Sequence, residues 1–198
     1  ILDHLIAACD IPQATGFSVP GQTLPHPRDF INSRDIQPGE ILNIDDIRIS
    51  CCENTHYRPE DQFGKQGPIS LSYRFDAPDR SMVFTGDTGP CLALEEFAKN
   101  ADLLVGELFD TEIVINRLRA TNPDMSDHAL LQMRQHFDEH HLTPEDLGQL
   151  ASRAGVKKVV AVHIPFITKN TEEDAKYVSR ILANFSGSVT ISEDLAAY

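Results

Sequence analysis

Three short apolar runs constrain this chain more than any other feature, because each leads into a residue able to bind a cation. Ile47–Cys52 leads to His56, Met82–Thr85 to Asp87, and Val159–Val162 to His163. Runs this short, flanked by turn-forming residues, read as strands rather than helices. Strand ends hold side chains rigidly at a sheet edge, where donors from distant parts of a sequence can converge. Two imidazoles and a carboxylate suit zinc or a similar borderline cation, and a carboxylate can bridge two such ions. The spacing alone leaves a plainer reading open, in which both histidines lie near the surface and Asp87 only caps a Gly-rich turn.

The remaining pattern alternates strands with helices. Leu2–Cys9 has helical periodicity, and Ile11–Pro38, rich in Pro and Gly, reads as a long ordered loop or lid. Ile41–Ile44 and Ile47–Cys52 flank Asp45-Asp46 as a hairpin, and Ser70–Phe75 pairs with Ser81–Thr85 through the turn at Ala77–Arg80. Helices are expected over Cys91–Lys99, Ser126–His140, Thr143–Ala154 and Glu172–Asn184, and strands over Asp102–Glu107, Lys157–His163 and Ser188–Ser192. Thr143-Pro144-Glu145-Asp146 is the clearest helix start, with a capping Thr, Pro at the first position and acids in the first turn. Hairpins followed by strand–helix alternation predict α/β layers, and 198 residues, 41% hydrophobic, suffice for one domain with a sizeable core.

Charge and cysteine content narrow the function classes. The net charge of −13, with no basic tract, disfavours a nucleic-acid partner, although it leaves room for a local basic patch. No apolar run approaches the roughly 20 residues of a membrane-spanning helix. Cys9, Cys51, Cys52 and Cys91 lack CxxC spacing and disulfide-scaffold density, so they read mostly as buried thiols. Adjacent Cys51 and Cys52 face opposite sides of a strand and cannot serve one metal together.

Two further residues carry chemistry. Glu107 ends a buried strand, which is unusual for a carboxylate unless a partner such as His compensates it. In His140-His141-Leu142-Thr143-Pro144, a His falls just before a helix start, either as a hydrogen-bonding part of the turn or as a proton donor facing a site.

Taken in order, these segments resemble the metallo-β-lactamase superfamily. Phe84-Thr85-Gly86-Asp87-Thr88-Gly89 is similar to the motif whose Asp bridges two metals; Asn54-Thr55-His56 and Lys157–His163 are similar to the flanking His motifs. Ala101–Glu107 and His141-Leu142-Thr143, continued to Gly155, resemble the ribonuclease Z and arylsulfatase-like branch. The resemblance spans roughly Ile36–Ser192. It implies the C-terminal part of an αββα sandwich and a hydrolase with two divalent ions, zinc with Mn or Fe as alternatives. His56, Asp87 and His163 are the implied ligands; His141, paired with Glu107, is the implied proton donor to the leaving group. Water or hydroxide held between the ions would attack a phosphodiester, sulfate ester or related small ester, with tRNA 3′ processing as the alternative.

The family's His-X-His-X-Asp-His signature is absent from these residues. Its absence leads us to expect an N-terminal segment beyond Ile1 and a metal site incomplete without it. A competing reading makes the chain a non-catalytic half-domain, a binding or assembly module. A half-domain would expose a sheet face and favour a homo-oligomer. The compartment is left open.

Overall fold

Seven strands hydrogen-bond in chain order in the computed structural model, which describes residues 34–57, 68–165 and 171–198. They are β1 (Ile41–Ile44), β2 (Ile47–Glu53), β3 (Leu71–Asp76), β4 (Ser81–Phe84), β5 (Leu103–Glu107), β6 (Lys158–Val162) and β7 (Ser188–Ile191). Neighbours from β1 to β4 run antiparallel, and neighbours from β4 to β7 run parallel. The change follows from the connections. Asp45, at φ +52°, turns β1 directly into β2, a left-handed conformation that Asp tolerates better than most residues. Beyond β4 each parallel pair needs a crossover, and helices supply it.

Those helices are α1 (Leu92–Phe97), α2 (Thr111–Thr121), α3 (Asp127–His140), α4 (Pro144–Ala154) and α5 (Thr171–Leu182). Leu94, Leu147, Leu150, Ala151, Tyr177 and Ile181 from α1, α4 and α5 pack on Val83, Leu104, Val159 and Ala161 of the sheet. Fully burying one such side chain contributes about 1.5–3 kcal/mol, so this layer holds the fold together. Two glycines permit its closeness: a Cβ on Gly106 would lie 2.4 Å from Leu147 Cδ1, and one on Gly148 would lie 2.4 Å from the Ile181 carbonyl oxygen.

The expected α/β layering is present, and α4 has the expected ends. Thr143 and Asp146 form a capping box, Pro144 begins the helix, and Gly155 closes it at φ +66°. Other boundaries move by one to a few residues. The hairpin and the strands leading to His56, Asp87 and His163 form as read. One element was not foreseen, helix α2. Its start signal exists, since Asp110 caps the Ile113 N–H, but only three of its residues are buried, so its apolar periodicity is faint. The helix read at Leu2–Cys9 and most of the loop or lid read over 11–38 lie outside the described residues.

Residues 38–198 form one compact unit. Within it Cys51 is buried while Cys52 and Cys91 are half-buried, none of the three in a disulfide, and Cys9 lies outside the described residues. Burial, then Cys91 and Cys51, push the Cys52 thiol up to about 12. Among the described residues no helix is long and apolar enough to cross a membrane.

The feature that positions the site is the parallel register. Phe84 pairs with Val105, and Glu107 pairs with Val162. Residues leaving β4, β5 and β6 therefore emerge at one edge, the carboxyl ends of the strands, where open α/β sheets gather ligands.

Candidate metal centre

His56 stands in the turn after β2, and Asn54 fixes that turn. The buried Asn54 side chain donates to Ser72 Oγ at 3.1 Å and to the Thr85 carbonyl at 3.0 Å, while its Oδ1 accepts the His56 N–H at 3.1 Å. The His56 ring places Nδ1 at 3.2 Å from the His140 carbonyl oxygen. A carbonyl can only accept, so the proton sits on Nδ1 and the Nε2 lone pair is left for a cation.

Asp87 follows β4 through Gly86, which takes φ +60° and whose missing Cβ would lie 3.3 Å from the Leu71 carbonyl oxygen. His163 directly follows β6 with φ +54°. Left-handed backbone at a non-glycine residue costs about 1–3 kcal/mol and collects at functional sites. His163 Nε2 lies 3.5 Å from Asp87 Oδ2.

Glu107 is 1% exposed at the end of β5, and both carboxylate oxygens are engaged. Oε1 accepts the Thr88 N–H at 2.5 Å, and Oε2 lies 2.8 Å from His141 Nδ1. Without those donors a carboxylate so deep would be strongly disfavoured. His141 caps the end of α3, donating its N–H to the Phe137 carbonyl at 2.9 Å. Its neighbours anchor it: Leu142 is buried in the core and Thr143 caps α4. Phe109 stacks on the His141 ring, centroids 4.4 Å apart and planes 19° from parallel.

The structure brings all five residues singled out in the sequence to one edge. Potential ligand atoms of His56, Asp87 and His141 lie within 4.8 Å of one another, and so do those of Asp87, Glu107 and His163. Asp87 belongs to both groups. His56 and His163 share no group, and each stands with Asp87. Sequence reasoning passed over three contributors: Asn54 as a brace, Phe109 as a wall, and His140 as the partner of His56. Asn54 and His140 stood inside the quoted motifs, but contacts across 18 to 84 residues leave no trace in local spacing.

Comparison with known proteins identifies the family. Residues 13–164 match the family model described as the Beta-lactamase superfamily domain. The chain belongs to the metallo-β-lactamase superfamily, a hydrolase family whose fold implies divalent-metal binding. It is 31% identical over 166 residues to a ribonuclease Z of Mycobacterium avium, covering 83% of this chain and 51% of that protein. It is 26% identical over 159 residues to a ribonuclease Z of Myxococcus xanthus, covering 80% of this chain and 40% of that protein. The chain thus spans about half the length, or less, of these relatives. Among solved structures, the metallo-beta-lactamase fold protein YhfI from Bacillus subtilis superposes with a TM-score of 0.55 at 18% identity, covering 80% of this chain and 50% of that one. That likeness shows the fold alone.

Proposed function

We propose that the protein is a metal-dependent hydrolase of phosphodiesters, with His56, Asp87 and His163 holding two ions and His141, oriented by Glu107, donating a proton to the leaving group. The observation that supports this reading is the meeting of two donor groups at Asp87, one including His141 and the other Glu107, with these two residues held to each other at 2.8 Å. The donors fit a borderline divalent cation such as zinc: imidazole nitrogens, one of them freed at Nε2 by its carbonyl partner, and a half-buried carboxylate with two oxygens. Three proposed ligands leave coordination positions for water, substrate or residues outside those described. Bound ions supply Lewis acidity, easing the ionisation of water and drawing charge from the scissile group.

The chain's own residues then act on the leaving oxygen. Glu107 Oε2 accepts from Nδ1, so the proton that His141 transfers comes from Nε2. Phe109, stacked on the ring, and Glu107 together keep the imidazole from swinging. Proton transfer to a departing alkoxide lets it leave neutral, a contribution of about 10²- to 10⁴-fold.

A second reading, tRNA 3′ processing, is favoured by the relatives that bear the name ribonuclease Z. The net charge of −13 weighs against it, because tRNA affinity depends on cationic contacts to phosphate. Turnover of bis-p-nitrophenyl phosphate and p-nitrophenyl sulfate by the zinc-loaded protein, alongside tRNA binding over a salt series, separates the readings. We expect phosphodiester turnover with weak tRNA binding. Tight binding that falls steeply with salt assigns the substrate to the second reading, and faster sulfate turnover moves it to sulfate esters. A protein that takes up no metal and turns over neither ester is the binding or assembly module instead.

A further inference from the structure

The last turn of α3 touches three separate parts of the candidate centre. His140, the final helical residue, is 5% exposed and places its ring Nδ1 2.5 Å from the His56 carbonyl oxygen. The His56 ring returns the contact, Nδ1 to the His140 carbonyl at 3.2 Å. Because carbonyls only accept, each ring is protonated at Nδ1 and each donates to the other's backbone. Two residues 84 positions apart are thereby clamped ring to backbone in both directions. One residue earlier, a Cβ on Gly89 would lie 1.9 Å from the Glu139 carbonyl oxygen, so the loop carrying Asp87 is pressed against the same turn. One residue later, His141 holds Glu107.

We infer that His140 is a positioning residue, which presets the proton and direction of the His56 ring before any ion arrives. The inference deepens the proposed function and rests on His56 being a ligand. Its physical basis is the carbonyl at the end of α3, which accepts the His56 ring proton. That bond commits Nδ1 and leaves Nε2 for a cation, the usual way an outer hydrogen bond sets an imidazole ligand. The reverse bond from His140 keeps the His56 backbone from drifting out of reach.

The test uses the full protein labelled with ¹⁵N-histidine. Long-range ¹H–¹⁵N correlations above neutral pH, without metal, report the His56 tautomer; zinc titration reports affinity. In the unsubstituted protein His56 should be a single Nδ1–H tautomer. In His140→Ala it should become a mixture, and zinc affinity should fall about 10- to 100-fold. His140→Asn should restore most of both, since its amide N–H occupies the place of the ring Nδ1. An unchanged tautomer and affinity in His140→Ala overturns the inference, as does an Asn variant as impaired as Ala, which would assign the effect to packing. If the tautomer responds but no form binds zinc, the metal reading fails while the positioning role stands.

Discussion

His141 and Asp87 sit in one site, yet their loss should read differently. Glu107 and Phe109 hold His141 in place, so His141→Gln should lower turnover about 10²- to 10⁴-fold while elemental analysis finds unchanged metal content. Asp87→Ala should lose metal, because both donor groups pass through that carboxylate. Equal metal loss in the two variants would make His141 a ligand. Glu107 is a structural matter as well: Glu107→Ala strands the buried Thr88 N–H and the His141 ring, each worth about 1–3 kcal/mol when left unpaired. Urea denaturation should show that loss, with Glu107→Gln closer to the unsubstituted protein because an acceptor oxygen remains.

Elements set these residues in place through ends and close approaches. Gly148 on α4 separates the cases in which propensity and packing disagree. Alanine there gains about 1 kcal/mol of helix propensity, yet its Cβ would sit 2.4 Å from the Ile181 carbonyl and force α5 away, at about 1–3 kcal/mol. Gly148→Ala should therefore lower the melting temperature, and an increase would mean that α5 yields easily. At the opposite ends of the strands, Asp102 joins β4 and β6, bonding Ser81 N at 2.7 Å and Lys157 Nζ at 2.6 Å. These partners, Lys157 foremost, hold its carboxyl down at about 2. A depressed carboxyl stabilises the fold above its unfolded value and loses that contribution as pH falls through the folded one. The stability gap between the unsubstituted protein and Asp102→Asn should be full at neutral pH and shrink between about pH 4 and pH 2. A gap that does not change with pH would show that the ionised form contributes nothing. Most of these elements were legible: caps and stops at Thr143, Pro144 and Gly155 are local chemistry. Helix α2 was not, because its buried stripe is too narrow for periodicity to reveal.

For the molecule as a unit, the centre couples to stability. The proposed ligands lie on loops after β2, β4 and β6, so an ion held by them adds a further link between segments distant in sequence. An ion that binds the folded form alone adds about 2.7 kcal/mol at a hundredfold excess over its dissociation constant. Zinc should raise the melting temperature, a chelator should reverse the rise, and Asp87→Ala should abolish it. A shift that survives Asp87→Ala would locate the ion elsewhere.

Order along the chain determined much of this protein. Apolar runs too short for helices made strands, Asp45 and Ala77–Arg80 made hairpins, and His56, Asp87, Glu107, His141 and His163 were identifiable as polar residues at the ends of short apolar runs or just before a helix start. Such features are local, governed by residues a few positions apart. Tertiary structure alone decided the pairing of His56 with His140, the brace from Asn54, the wall from Phe109 and the sharing of Asp87 between two donor groups. Those contacts depend on strand register and on the depth of the last turn of α3. Both are set by how the whole core packs rather than by any neighbouring residue.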